Sequence, residues 1–170
     1  MKRKICCVIT ARPSYSRIKS ALIEVKRNPD MELQIVLTSS ALLDRYGPIN
    51  NTLAQDGLTP DSVVYNVLEG ENLVTSAKTT SIAILELSSV FERLKPDAVI
   101  TVADRFETMA TAITASYMNI PLVHVQGGEV TGSIDEKVRH AVTKFADIHF
   151  PSTKKSYLNL VRMGENKNNI

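Results

Sequence analysis

The chain has 170 residues, 44% of them hydrophobic, 22% charged and 5% aromatic. That is the composition of one ordinary folded domain, and it excludes a disordered, collagenous or coiled-coil chain. Twenty Lys and Arg against eighteen Asp and Glu leave a net charge of +2. No run of like charge suggests a nucleic-acid arm, and Lys2-Arg3-Lys4 reads as a solvated strand entry. No stretch approaches the ~20 apolar residues of a membrane span, and the apolar run at 5–9 is too short for the core of a secretory leader. The expectation is a cytoplasmic protein without membrane or nucleic-acid partners.

In chain order, the apolar run at 5–10 predicts a strand buried on both faces. Cys6 and Cys7 lie within it, and neighbours on a strand point to opposite faces, so two buried free thiols are expected rather than a disulfide. Residues 14–28 have helical spacing (Ile18, Ala21, Leu22, Val25), stopped by Asn28-Pro29-Asp30. A strand at 33–37 follows. Short helical or irregular pieces at 39–46 and Ile49–Gln55 flank Gly47-Pro48, and a weaker strand is expected at 63–67. The longest helix, 72–94, ends at Lys95-Pro96-Asp97.

Ala98–Val102 predicts a fourth strand, 106–118 a helix, and Asn119-Ile120-Pro121 a turn into the strand Leu122–Val125. Gly127-Gly128 and Gly132 mark a connection. Helix Ile134–Phe145 follows, opened by a capping box in which Ser133 accepts the Glu136 backbone N–H. Ile148–Phe150 is a sixth strand and 153–163 a last helix. Gly164 terminates that helix, and the polar stretch after it reads as the lead-in to a further strand, so residues 1–170 are expected to be a Rossmann-like domain lacking its last strand. Repeated βα units with connections of this length call for a parallel sheet with helices on both faces.

In such sheets ligands bind outside the carboxyl ends of the strands. The residues there are Thr10-Ala11-Arg12-Pro13-Ser14-Tyr15-Ser16, Ala103-Asp104-Arg105 and His124-Val125-Gln126-Gly127-Gly128-Glu129. The first loop is neither a dinucleotide fingerprint nor a P-loop, so a nicotinamide, flavin or P-loop reading lacks its main signal. Arg12 suits a phosphate beside a helix N-terminus. Asp104-Arg105 reads as a local ion pair or as an acid/base group with an anion clamp, and His124 as a satisfied interior histidine or a ligand contact. Asp135 and Arg139, like Glu136 and His140, are spaced i,i+4 and read as helix-stabilising pairs or site residues. No Cys/His/carboxylate set has metal-ligand spacing; neither a metal nor another cofactor is expected.

Taken together, Ala11-Arg12-Pro13-Ser14-Tyr15-Ser16, Ala103-Asp104-Arg105-Phe106-Glu107, the run from His124 through Gly127-Gly128-Glu129 to Asp135-Glu136, and Arg139-His140-Ala141-Val142-Thr143-Lys144 resemble the UDP-N-acetylglucosamine 2-epimerase family, most of all its hydrolysing, sialic-acid-pathway branch. The resemblance covers nearly the whole chain. It implies the N-terminal half of a two-domain, glycosyltransferase-B-like fold with the active site in the interdomain cleft, and a homodimer formed through this domain. The helix at 72–94 carries Val74, Ile82 and Val90 off its main stripe for that purpose. The implied chemistry is proton removal at sugar C2 with anti elimination of UDP, then addition of water or UDP. The substrate is UDP-N-acetylglucosamine or a related UDP-2-acetamido sugar.

By the same resemblance Asp104, Glu129 and Asp135 fall at catalytic positions, and Arg12, Ser16, Arg105, His124, Gln126 and Arg139 at substrate contacts. Two departures stand out. Ala103 occupies a position where the branch usually has Gly, and Gln126 one where other members carry Glu or His. A neutral amide cannot act as a general base, though it can bind a sugar hydroxyl. With half the cleft elsewhere, the chain alone is expected to be inactive. A non-catalytic Rossmann-like nucleotide-sugar-binding or oligomerisation module is the alternative reading. A flavodoxin-like domain is disfavoured by the missing Ser/Thr/Gly-rich first loop.

Overall fold

The carboxyl edge of a parallel sheet, where six successive strands deliver their loops, organises the molecule. The structure is a computed structural model that describes residues 1–47, 49–70, 72–132 and 134–170. Its strands are β1 (Arg3–Ile9), β2 (Met31–Thr38), β3 (Ser62–Val64), β4 (Ala98–Val102), β5 (Leu122–Val125) and β6 (Ile148–Phe150). They form one all-parallel sheet in the order β3-β2-β1-β4-β5-β6. The order reverses between β1 and β4, which is where a doubly wound sheet opens a crevice. The Rossmann-like α/β fold expected from the alternation is therefore present.

The helices are α1 (Arg12–Arg27), α2 (Ile49–Gln55), α3 (Leu73–Leu94), α4 (Thr108–Tyr117), α5 (Ile134–Phe145) and α6 (Lys154–Arg162). Two cores sandwich the sheet. One joins Cys7, Ile9, Ile35 and Leu37 to Tyr15, Ile18 and Leu22 of α1 and Leu53 of α2. The other joins Cys6, Val8, Val36 and Val99 to Leu87 and Phe91 of α3, Ala112 of α4 and Val142 of α5. The adjacent cysteines thus serve opposite layers, as period-two geometry requires. Burial pushes the Cys7 thiol up to about 12 and Cys6 higher still, so both are inert packing groups.

Several boundaries differ from the periodicity reading. Helix α1 starts at Arg12 with Pro13 in its first turn, where proline's fixed φ and missing N–H cost nothing. Strand β3 is shorter than 63–67 because Asn66 turns inward, buried, to bond Thr38, Ser39 and Thr79 instead of continuing the ladder. The stretch after Gly164, read as the lead-in to a further strand, forms a 3₁₀ turn at Lys167–Asn169. Ser133 of the predicted capping box, like Pro48, lies outside the described residues. Of the three α3 residues expected off its main stripe, Val90 is buried in the core, Ile82 is half-buried and Val74 is exposed. Leu73 and Leu85 share that exposure.

The opposite, amino edge of the sheet uses one device three times. Asp61, Asp97 and Asp147 each sit just before a strand. Each donates its backbone N–H to the carbonyl of a neighbouring-strand residue (Ile35, Lys4 and Leu122). The carboxylate then accepts that same residue's N–H at 2.7, 2.7 and 2.8 Å. Each ring closes a ladder whose last donor would otherwise be orphaned. All three aspartates are exposed, but the donors at Ile35 and Leu122 are buried, so Asp61→Ala and Asp147→Ala should each lower stability by about 1–3 kcal/mol. Asp97→Ala, at the exposed ring, should cost less; equal losses in urea unfolding would contradict this account.

Candidate active site

Four segments converge on the crevice outside β1 and β4. Arg12, Ser16 and Arg17 project from the first turns of α1, and no side chain caps that helix's N-terminus. With Ala11, Pro13, Ser40, Tyr46 and Arg105 they line a cavity of about 560 Å³. Arg12 Nη1 donates to the Tyr46 carbonyl at 2.7 Å, a neutral partner. Arg105 reaches the buried carboxylate of Glu107 at 3.2 Å. The cavity is therefore cationic beside a helix N-terminus, the arrangement that binds anions. It opens, past Ser40, Tyr46 and Arg105, into a second cavity of about 840 Å³ with an amphipathic wall that includes Val67, Leu68, Thr75 and Phe106.

Asp104 begins the loop after β4, and its partner is not Arg105. Its Oδ2 pairs with Nη2 of Arg139, which comes from α5 and is only 2% exposed, against 19% for Asp104. Arg139 Nη1 also donates to the Glu129 carbonyl at 2.8 Å. The expected i,i+4 pairing of Arg139 with Asp135 is therefore corrected: the buried guanidinium turns to the sheet edge, and Asp135 makes no ion pair among the described residues. Burial, and the nearby Arg17 charge, pull the Arg139 pKa below its ordinary value. Two converging guanidiniums favour an added anion between strand loop and helix.

Of the two readings of His124, the structure places it in the interior. It is fully buried, one residue inside the end of β5. Its Nε2 lies 3.0 Å from the Ala103 carbonyl and its Nδ1 3.2 Å from Thr143 Oγ1. Since a carbonyl only accepts, Nε2 carries the proton and Thr143 donates to Nδ1. Burial pushes the His124 pKa down to about 4, against the opposing pull of the Ala103 carbonyl. Both residues that follow β4 and β5, Ala103 and Gln126, adopt φ of +67°, a left-handed backbone that suits glycine. At Ala103 this gives a physical reason for the glycine usual in the resembled branch.

The loop after β5 is tightly packed. A Cβ on Gly127 would come within 3.0 Å of His124 Nδ1, and one on Gly128 would collide with the Ser156 carbonyl of α6. Asn159 Nδ2 donates to the Gly128 carbonyl at 2.8 Å. Sequence reasoning gave Glu136 no role beyond helix capping and pairing; its carboxylate reaches back to the N–H groups of Thr131 (3.0 Å) and Gly132 (2.5 Å). These bonds hold its pKa down and tie the 129–132 segment to α5. Glu107, Arg17 and Thr143 were also missed; their roles depend on long-range contacts with no spacing signal. Glu129 and Gln126 are half-buried at the cleft, whereas Arg12 and Ser16 are exposed.

Residues 23–170 match the sequence profile of the family described as UDP-N-acetylglucosamine 2-epimerase. The chain belongs to that family. A hydrolyzing UDP-N,N′-diacetylbacillosamine 2-epimerase of Legionella pneumophila is 35% identical over 170 residues, all of this chain and 45% of that protein. A crystal structure of a UDP-N-acetylglucosamine 2-epimerase superimposes with a TM-score of 0.88 at 26% identity, covering 100% of this chain and 47% of that one. That of the Neisseria meningitidis enzyme bound to UDP-GlcNAc gives 0.85 at 21%, covering 98% and 45%, a likeness of fold. The chain thus spans about half the length of the epimerases it matches. Its sheet is one half of their glycosyltransferase-B-like architecture.

Two outcomes follow for this epimerase-family domain. Its pairing with the buried Arg139 gives Asp104 a structural role. Asp104→Asn should lower unfolding free energy by about 3 kcal/mol, because it strands a buried charge; a loss under 0.5 kcal/mol would show that the pair carries nothing. The second concerns pH. The folded His124 refuses a proton that the unfolded chain, near 6.5, accepts. Stability should therefore fall as pH drops from about 6.5 to about 4, with a slope up to about 1.4 kcal/mol per pH unit. His149, whose pKa is also pushed down by burial, adds the same sign. His124→Gln should flatten the slope between pH 7 and 5 in denaturant titrations, and an unchanged slope would refute the assignment.

Proposed function

We propose that the protein acts on a UDP-activated 2-acetamido sugar, inverting C2 through elimination of UDP. The observation that carries this reading is the cationic cavity of Arg12, Arg17 and Arg105 at the α1 N-terminus, next to a carboxylate, Asp104, at the switch between β1 and β4. A diphosphate leaving group needs cations and backbone donors where its charge develops, and a weakly acidic C–H needs a positioned base. In this reading Arg12, Ser16 and Arg105 take the diphosphate, and Gln126 bonds a sugar hydroxyl.

Asp104, Glu129 and Asp135 supply the acid/base groups. A carboxylate takes the C2 proton as the C1–O bond to UDP breaks, giving a 2-acetamidoglucal. Water then adds its hydroxyl to C1 while a proton returns to C2 from the opposite face, releasing the free 2-acetamido-mannose-type sugar. The hydrolysing outcome is supported by the Legionella relative, and a 2,4-diacetamido sugar is the second substrate to test. Arg139, sealed beneath the loop, orients Asp104 rather than touching substrate. The work is cytoplasmic and the assembly a homodimer, supported by the exposed Leu73, Val74 and Leu85 of α3.

The test is the full-length protein with UDP-N-acetylglucosamine and with the UDP-diacetamido sugar, products followed by NMR. UDP plus a free mannose-type sugar is expected. UDP binding without any product would favour a non-catalytic nucleotide-sugar module. Asp104→Asn should lower kcat by roughly 10²–10⁴-fold. Arg12→Ala should act mainly on UDP-sugar binding. Residues 1–170 alone should show little or no turnover, because preorganised geometry across the whole cleft does the work.

A further inference from the structure

The acid/base candidate Asp104 owes its direction to the residue before it. Ala103 is 4% exposed and held at φ +67°, a conformation an alanine does not choose by itself. Its N–H is fixed by the Val125 carbonyl at 2.9 Å. Its carbonyl points inward, across β4 to β5, where His124 Nε2 waits at 3.0 Å. That carbonyl belongs to the peptide that carries the Asp104 N–H, so the bond sets the ψ of Ala103 and hence the bearing of Asp104. The carbonyl, which only accepts, keeps the ring proton on Nε2, and Thr143 Oγ1 at 3.2 Å from Nδ1 holds the other side of the ring in place.

Resting on the function proposed above, we propose that the buried His124–Thr143 pair is a positioning device. It clamps the strained Ala103 peptide and so aims Asp104 into the cleft and onto Arg139. His124 touches no substrate. Thr143 and His124 sit on α5 and β5, and Arg139 is one turn before Thr143 on the same helix. One helix therefore supplies both the hydroxyl that holds His124 and the buried guanidinium that meets the carboxylate. The wall is closed as well: the missing Cβ of Gly127 leaves just the room that the His124–Thr143 contact fills.

The test compares His124→Leu, which removes the donor, with His124→Gln, whose side-chain amide can return an N–H to the Ala103 carbonyl. Kinetics use the full-length protein, and NMR reads the Ala103 and Asp104 backbone signals and the histidine ring ¹⁵N shifts. In the Leu variant kcat should fall about 10–100-fold, with UDP affinity within about twofold of the parent and the Ala103 signals displaced. The Gln variant should stay within about fivefold in kcat and keep the left-handed Ala103 signature. Equal kcat losses in both variants, wild-type kcat in the Leu variant, or an unmoved Ala103 would overturn the proposal. If His124→Leu does not fold, Thr143→Val decides. It should leave the proton on Nε2, loosen the ring, displace the Ala103 signals and lower kcat several-fold, and unmoved Ala103 signals with wild-type kcat would equally overturn it. Should the parent protein turn over no UDP sugar, the function reading fails. The positioning claim then stands or falls on whether Ala103 and Asp104 shift in the Leu variant and not in Gln.

Discussion

Burying the guanidinium of Arg139 is the constraint around which this site is organised. A cation sealed from water needs partners for its donors; here Nη1 and Nη2 are met from three directions, while Nε finds no partner among the described residues. The carboxylate of Asp104 arrives from β4, the Glu129 carbonyl from the loop after β5, and Thr131 Oγ1 stands at 3.5 Å. Satisfying one side chain therefore ties together the end of a strand, a glycine-bearing loop and the helix α5. Glu136 extends the same economy by holding the N–H groups of Thr131 and Gly132 from the first turn of that helix.

The arrangement also separates the charges by task. Asp104 is matched with a buried cation behind it, and Arg105 with the buried Glu107. Arg12 is held by a carbonyl, and Arg17 makes no ion pair among the described residues. The positive charge of Arg12 and Arg17 consequently lies on the α1 side of the crevice, while the Asp104 carboxylate is held by Arg139. Neighbours along an extended loop point apart, and the cations that matter arrive from another element.

Much of the scaffold was legible before any coordinates. The strands Ala98–Val102, Leu122–Val125 and Ile148–Phe150 and the helices Ile49–Gln55 and Ile134–Phe145 fall where apolar periodicity and Pro/Gly punctuation put them. Burial on both faces of a parallel sheet writes continuous apolar runs into the chain. The less legible boundaries were those where a side chain overrode periodicity. Asn66 bends inward to satisfy the carbonyl end of β2, and β3 stops early. Of the three aspartate rings at the amino edge, only Asp97 carried a reading, as part of a helix stop, because their partners lie 26, 93 and 25 residues away.

The sequence by itself determined the class of fold and which loops carry the chemistry-bearing residues. Period-two and period-3.6 patterns are local, and a βα alternation admits few topologies. It also carried the family's motifs, which the profile match bears out. Only the tertiary structure decided what each of those residues does for its neighbours. The i,i+4 spacing of Asp135 and Arg139 favoured a helix-surface pair, yet burial of α5 against the sheet sent Arg139 to Asp104. His124 stood among candidate ligand contacts until register placed it inside the sheet, opposite Thr143 and under Ala103. Spacing reports which groups share a face; only packing sets which of them water can reach, and so which are free to meet a substrate.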